Sequence, residues 1–269
     1  MSAPSSAAAI KIRVEGVAKR FDQSGQPVEA LANVELAVRE GEFVSIVGPS
    51  GCGKSTLLYM LGGFLAPSAG RLLVDGAPIT GPGVDRGVVF QEYALFPWLT
   101  VFDNIAYGLR EAGMGAREVT ATAERYIALI GLSGFERRFP RELSGGMKQR
   151  VALARTFAYE PSILLLDEPF GALDAQTREI MQDELLRLWR TTGKTVLMVT
   201  HDVSEAVYLS NRVCVMSQRP GCMVEEFAID LDHSVEREQV VLSPAYTAIR
   251  NAVWIAVRQQ VVVARRGAA

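Results

Sequence analysis

Apolar residues fall along the chain in short runs that predict two kinds of strand. In 33–40 they alternate with polar residues, as in a strand with one buried face. In 163–167 and 195–200 they are continuous, which is typical of parallel strands buried on both faces. Strand patterns occupy the ranges 10–17, 33–40, 43–48, 71–76, 87–91, 163–167, 195–200 and 212–216.

Helical spacing fills the intervals between these strands. The range 175–192 places Met181 and Leu185 on one stripe and Arg178 and Arg187 outside it, so it predicts an amphipathic helix. Other helices are predicted within 53–64, 101–110, 118–132, 146–159 and 203–209. Strands that alternate with helices of this length imply a mostly parallel α/β sheet.

Three segments stand apart from this alternation. Residues 1–9 contain little to pack and are expected to be a disordered leader, whereas 92–158 has only helical patterns and is interpreted as an all-helical insertion. In the tail, 236–269, Ser243 and Pro244 are a good cap and first residue for a helix. The tail is mildly basic, and it remains open whether it is a solvated helix or one that docks a partner or lies near a membrane.

The composition of the chain argues against several classes of protein. The 269 residues include 28 basic and 30 acidic side chains, and this near-neutral balance argues against a protein that coats nucleic acid. The mean hydropathy of +0.15 is high, but no stretch of 18 uncharged apolar residues predicts a membrane span. The first residues do not resemble a signal peptide, and three scattered cysteines predict neither a disulfide framework nor a metal cluster. We therefore expect a cytoplasmic protein with more apolar residues than usual.

A phosphate-binding loop is predicted between the strand at 43–48 and the helix that follows it. The sequence matches the pattern G-x-x-x-x-G-K-[ST] in full, in the strand-to-helix context that this motif needs. Backbone N–H groups of such a loop cradle a polyphosphate, the lysine reaches the β- and γ-phosphates, and the first hydroxyl binds Mg²⁺. These roles fall to Lys54 and Ser55, and Cys52 is interpreted as a small filler or a reactive thiol. The loop comprises Gly48, Pro49, Ser50, Gly51, Cys52, Gly53, Lys54, Ser55 and Thr56.

Two acids end the buried strand at 163–167. Asp167 is expected beside the phosphate loop, where it can hold Mg²⁺ directly or through water. Glu168 comes next and is placed to polarise a water for attack on the γ-phosphorus. An apolar run followed by two acids is a weak signal alone, but together with a phosphate loop it becomes a strong one.

A second anion site is predicted at 143–150, where the sequence reads LSGGMKQR. Ser144, Gly145 and Gly146 would expose backbone N–H groups at the start of a helix. One chain with one phosphate loop has no evident use for two such sites on one nucleotide. A head-to-tail dimer does, because each nucleotide could then be closed over by the neighbouring chain.

With these motifs the sequence resembles the nucleotide-binding subunits of ATP-binding cassette (ABC) transporters, over about residues 10–235. The family's signature reads LSGGQ, and Met147 stands here where the family usually has Gln. The resemblance implies an α/β fold: a P-loop NTPase core of mostly parallel sheet flanked by helices, with a small antiparallel β subdomain and the helical insertion. It also implies ATP and Mg²⁺ as ligands.

Four further roles follow from the resemblance alone. Phe21 is similar to the aromatic that stacks on adenine, although a core aromatic on an edge strand remains an alternative. Gln91 resembles the glutamine that senses Mg²⁺ and the attacking water. Asp174 resembles the residue that helps to organise the opposite subunit's site, and His201 resembles the switch histidine that contacts the γ-phosphate.

The stretch 83–109 resembles the importer subfamily for nitrate, taurine and aliphatic sulfonates. Its segment 93–98, YALFPW, is unusually apolar for a position next to an active-site loop. It either packs within the insertion or receives a cytoplasmic helix of a membrane permease. In the second case the chain is a peripheral subunit on the cytoplasmic face of the membrane. A solute-binding protein is then its indirect partner.

Other functions fit the sequence less well. Within transport, an ATPase of an exporter or of a lipid-trafficking complex is the alternative. ABC ATPases that act on nucleic acid or ribosomes usually carry a long coiled-coil insertion or two tandem cassettes, and this chain has a short insertion and one cassette. A P-loop kinase or GTPase does not explain the LSGGM segment.

Overall fold

The computed structural model of the chain describes residues 9–23, 26–91 and 94–267. The described residues divide into two compact units, one formed by those within 9–83 and 189–267 and the other by those within 84–188. In chain order the elements are β1 (Ile10–Gln23), β2 (Gln26–Arg39), β3 (Phe43–Val47), α1 (Lys54–Leu61), β4 (Ala69–Val74), β5 (Ala77–Pro78), β6 (Arg86–Val89), α2 (Val101–Glu111), α3 (Ala116–Leu129), a 3-10 turn (Pro140–Glu142), α4 (Gly145–Ala158), β7 (Ile163–Asp167), α5 (Ala175–Thr192), β8 (Thr195–Thr200), α6 (Val203–Leu209), β9 (Arg212–Met216), β10 (Met223–Ala228), α7 (Arg237–Val241) and α8 (Pro244–Gly267).

Two sheets organise the first unit. An antiparallel sheet has the order β2-β1-β4-β5, and its inward-facing side chains, among them Ile12, Val14 and Val17, are buried. In the other sheet β3 lies between β8 and β9 and pairs parallel with both. All five residues of β3 are buried, Ser45 included. The strand β10, which the sequence pattern did not predict, pairs antiparallel with β9.

The second unit combines a parallel strand pair with helices. β6 pairs with β7, with Gly87 opposite Leu164. A Cβ on Gly87 would lie 2.7 Å from Thr156 Cγ2, so glycine lets α4 approach β6 closely. The helices α2, α3 and α4 pack on one another, and their apolar faces bury Leu109, Ala123 and Val151 among others. Helical structure begins at Val101, where the helical pattern of the sequence also begins.

The C-terminal helix α8 is partly buried. Its predicted start is confirmed, because Ser243 Oγ accepts a hydrogen bond from Tyr246 N at 3.1 Å. Tyr246, Val253 and Ala256 are buried on the face toward α6 and β9, whereas Trp254 is half exposed. Most other residues of α8 are exposed, as expected for a solvated helix, while this one face packs on its own unit. None of the helices in the described part of the chain is long and apolar enough to cross a membrane.

Candidate functional site

The predicted phosphate loop follows β3 and leads directly into α1, whose first residue is Lys54. Gly53 caps this helix with φ of 105°, a conformation that other residues rarely adopt. A Cβ on Gly53 would also lie 2.5 Å from Leu31 Cδ2. Backbone conformation and close packing both require glycine there, and this geometry holds the N–H groups of the helix start together.

The side chain of Lys54 is folded against its own loop. Its Nζ donates hydrogen bonds to Gly48 O at 2.9 Å and to Pro49 O at 3.0 Å, and the residue is buried. The positive charge is thus held at the helix N-terminus, where an anion is already favoured. Cys52 is fully buried beside it, and burial raises the pKa of its thiol against the opposing effect of the Lys54 ammonium. This favours the interpretation of Cys52 as a small filler.

His201 lies between the end of β8 and the start of α6 in the same unit, and its side chain is exposed. Asp202 caps α6, because its Oδ1 accepts from Ser204 N at 2.8 Å and Glu205 N at 3.1 Å. The N–H of Asp202 donates to Thr200 Oγ1 at 3.1 Å. The residues on both sides of His201 are therefore fixed by hydrogen bonds.

The two predicted acids end β7 in the second unit. Asp167 is fully buried, and Glu168 is half-buried with φ of 47°. The left-handed region is uncommon for a glutamate and costs free energy. Gly171 N donates to Glu168 O at 3.2 Å and closes the turn that follows. The strand end thus holds the Glu168 carboxylate on a strained, tightly turned backbone.

The signature segment forms the start of α4 as predicted. Ser144 is its N-cap, and Ser144 Oγ accepts from Met147 N at 3.3 Å. A Cβ on Gly146 would lie 3.2 Å from Leu173 Cδ2, so the helix start packs closely on the segment before α5. There Asp174 Oδ1 accepts from Thr177 N at 3.0 Å, and this backbone hydrogen bond lowers the pKa of its carboxyl.

The remaining predicted residues lie at element ends. Gln91 is exposed just after β6. Phe21 is half-buried near the end of β1, pairs with Val28 of β2, and has Lys19 Nζ 5.1 Å from its ring centroid. Since Phe21 is not part of the buried core, its interpretation as a core aromatic is not supported.

Magnesium prefers oxygen ligands and usually takes only one or two carboxylates from the protein. The predicted ligands, the Ser55 hydroxyl, the Gln91 amide oxygen and the Asp167 carboxylate, fit that preference. Within the described ranges no three His, Cys, Asp or Glu side chains are grouped to hold a metal ion. One carboxylate, one hydroxyl and one amide oxygen suit a magnesium ion that also takes oxygens from substrate phosphates.

A family model described as ABC transporter matches residues 31–171, just over half of the chain. The chain belongs to the ABC transporter family. As a member it is an ATP-binding ATPase subunit, and the α/β P-loop fold expected from its sequence is confirmed by solved ABC cassettes. The dimeric cassette solved in a post-hydrolysis state with ADP and Pi has a TM-score of 0.75 and 34% identity, covering 81% of this chain and 99% of that one.

Curated ABC relatives are similar over most of their length. The chain is 51% identical over 231 residues to an uncharacterized ABC transporter ATP-binding protein of Methanocaldococcus jannaschii, covering 86% of each. It is 52% identical to the nitrate import ATP-binding protein NrtD of Synechocystis, covering 76% of this chain and 77% of NrtD. It is 55% identical to the taurine import ATP-binding protein TauB of Burkholderia thailandensis, covering 75% of this chain and 77% of TauB.

The sequence analysis did not predict a role for two residues that contribute to the geometry of this ABC subunit. Glu205 is buried and accepts from Thr200 Oγ1 at 2.5 Å. Tyr246 donates from its hydroxyl to Ser204 O at 3.2 Å. The spacing of Asp202 and Glu205 is that of a capping box and could have indicated Glu205. Nothing local indicates Tyr246, because its partner is distant in the chain.

Proposed function

We propose that this ABC subunit hydrolyses ATP to power the import of a small solute such as nitrate, taurine or an aliphatic sulfonate. The observation that carries the proposal is the identity of 52–55% with nitrate and taurine import subunits over about three quarters of the chain. In this proposal the chain acts at the cytoplasmic face of the cell membrane. It is bound there to a permease, to which a solute-binding protein delivers the solute.

One chain provides most of each nucleotide site. Phe21 stacks on adenine, the loop 48–56 holds the phosphates with its N–H groups, and Lys54 contacts the β- and γ-phosphates. The geometry that supports this is the loop's tight packing at Gly53 and the Lys54 ammonium held at the start of α1. Ser55, Gln91 and Asp167 would hold Mg²⁺, which when bound supplies positive charge to the β- and γ-phosphate oxygens.

Hydrolysis needs a base and a sensor of the γ-phosphate. Glu168 polarises the attacking water, and Gln91 orients it. His201 contacts the γ-phosphate and stabilises the charge that moves onto its oxygens in the transition state. The position of Glu168 supports its part, because it directly follows the buried Asp167 at the end of β7.

The second copy completes the site. In a head-to-tail dimer the partner contributes the start of its α4, with Ser144, Gly145 and Gly146, while Asp174 helps to organise the opposite site. Hydrolysis then loosens the dimer, since the γ-phosphate bridged the two chains. We assign this cassette to residues 10–235, with its helical subdomain at about 92–158 and the tail at 236–269.

The surface we propose for the permease is the aromatic loop, defined here as residues 94–100. Tyr93, which belongs to the predicted apolar segment, lies outside the described residues. The fully buried Asn104 holds the loop: its Oδ1 accepts from Phe96 N at 2.9 Å, and its Nδ2 contacts Leu99 O and Thr100 O, each at 3.0 Å. The Phe96 ring lies 4.7 Å from the Tyr107 ring, and Trp98 is 70% exposed. A firmly held loop that presents a large apolar side chain is typical of a docking site.

Replacing Trp98 by Asp is expected to abolish co-purification with the permease while soluble ATPase activity stays within about twofold of wild type. The reason is that an exposed tryptophan contributes little to folding but much to a buried interface. Pull-down of the co-expressed permease and the ATPase rate of the isolated subunit measure the two effects. Equal loss of both would instead indicate a packing role for this loop.

Ile180 offers a matched control for this experiment. It is 62% exposed on α5 in the same unit, so an Ile180→Asp change adds the same charge at an apolar surface position outside the aromatic loop. This variant is expected to retain both the permease and the ATPase rate. Loss of the permease from both variants would mean that added negative charge, and not the aromatic loop, is what the complex fails to tolerate.

Import itself is tested with the assembled transporter. The complex in liposomes, with solute-binding protein and ATP on opposite sides, should accumulate taurine, nitrate or an alkanesulfonate inside the compartment that holds ATP. Stimulation of ATP hydrolysis by the loaded binding protein is the second readout. Solute movement away from the ATP side would contradict import and favour an exporter.

A further inference from the structure

The short helix α6 begins two residues after His201 and is held by the C-terminal part of the chain. At its first turn, the hydroxyl of Tyr246 from α8 donates to Ser204 O at 3.2 Å. Tyr246 is only 6% exposed, whereas Ser204 is exposed, so this bond is partly buried. α8 also packs along α6 and β9 through Val253 and Ala256.

The other end of α6 is held by residues that precede α8. His233 Nε2 lies 2.7 Å from Tyr208 O, and the two rings pack edge to face at 5.3 Å. Arg237 Cζ lies 4.1 Å from the centroid of the Tyr208 ring. A helix of seven residues is unstable in isolation, so these contacts fix where α6 lies.

His201 is coupled to the first turn of α6 by a closed set of hydrogen bonds. Asp202 Oδ1 accepts from the N–H groups of Ser204 and Glu205, and Asp202 N donates to Thr200 Oγ1. Thr200 Oγ1 in turn donates to the buried Glu205 Oε2 at 2.5 Å. A shift of the first turn would therefore move the backbone on both sides of His201.

We propose that Tyr246 is a positioning residue for His201, acting through the Ser204 carbonyl and the first turn of α6. The inference rests on the proposed role of His201 at the γ-phosphate. The proposal gives the C-terminal helix a part in ATP hydrolysis, because α8 then holds His201 in the position that hydrolysis needs. Tyr246 itself touches no nucleotide.

The test removes only the hydroxyl, with Tyr246→Phe. We expect kcat to fall about threefold to tenfold, the range of one neutral hydrogen bond, while KM for ATP changes less. Affinity for ATP should fall relative to affinity for ADP, because only ATP carries the γ-phosphate that His201 senses. A purely structural role would lower thermal stability and leave the ratio of ATP to ADP affinity unchanged, and that result would overturn the proposal.

Tyr126→Phe is the matched control. Tyr126 is similarly buried, and its hydroxyl also donates to a backbone carbonyl, Phe157 O at 3.0 Å, within the other unit. It should lose a similar amount of stability with unchanged kcat. An equal loss of kcat in the two variants would show a general effect of stability and overturn the proposal.

A double variant distinguishes this inference from the role of His201 itself. If Tyr246 acts through His201, adding Tyr246→Phe to His201→Ala should leave the residual rate and the ATP affinity as they are in His201→Ala. An additive loss, with His201→Ala itself impaired, would overturn the inference and leave the proposed function intact. A His201→Ala variant with the wild-type rate would overturn the inference together with the proposed role of His201. Faster amide exchange at 200–205 in Tyr246→Phe, without a change at 163–167, is expected as a readout independent of turnover.

Discussion

A Glu168→Gln variant is expected to bind ATP with wild-type affinity while its kcat falls by about two to four orders of magnitude, the usual contribution of a general base. Gln keeps the length and shape of the side chain and can still hold a water, but it cannot accept the proton. The φ of 47° is retained at the same cost, so the fold should be unaffected. Turnover and equilibrium nucleotide binding are the two measurements.

The same variant should accumulate an ATP-bound dimer. If the γ-phosphate joins the two chains, blocking its removal leaves the dimer closed, which size-exclusion chromatography with and without ATP would detect. Unimpaired hydrolysis would show that Glu168 is not the base. Loss of turnover without ATP-dependent dimerisation would keep the base and contradict the sandwich.

Glu160 provides a closely matched control in the same unit. It is also a glutamate in the left-handed region, with φ of 51°, and its carboxylate forms an exposed ion pair with Arg125 at 3.4 Å. Glu160→Gln thus makes the same chemical change on a similarly strained backbone away from the proposed site. It is expected to retain the wild-type rate, since exposed ion pairs contribute little.

Local patterns were enough to predict much of this fold. The strand β8 and the helices α5 and α6 have the predicted bounds, because apolar period and capping residues act over a few neighbouring positions. The strand β10 was missed, since its sequence MVEEFA does not alternate apolar and polar residues, and the strand is mostly exposed. β10 is stabilised by pairing with β9, which no local pattern encodes.

The candidate site, like the fold, could be predicted only where local sequence determines it. The phosphate loop and the signature segment could be predicted because glycine, serine and lysine at fixed spacing determine a backbone shape. The strain at Glu168 and the bond from Tyr246 to Ser204 could not, because each depends on residues brought together by the fold. The apolar excess of the sequence is partly explained by fully buried strands such as β3 and β8, and the exposed Trp98 adds to it at the surface.

Mixing two inactive variants should restore activity if the nucleotide site is shared between chains. Lys54→Ala removes the phosphate-loop charge, and Gly145→Asp places a carboxylate at the start of α4, where it repels the γ-phosphate. Each alone is expected to lower the ATPase rate by about 10²-fold or more. In a mixed dimer, one site combines the intact loop of the second variant with the intact signature of the first.

The expected recovery follows from counting sites. Equal amounts give mixed dimers in half of the cases, each with one intact site of two, so the rate should approach about a quarter of wild type.

Gly145 is exposed, and an acid at a helix start stabilises the helix, so the Asp variant should fold. Ala116→Asp is its control, because it adds the same charge at the exposed first residue of α3 and should keep full activity. If each chain formed its nucleotide site alone, the two variants could not rescue one another. A mixture as inactive as its components, with mixed dimers shown by cross-linking, would therefore contradict the shared site.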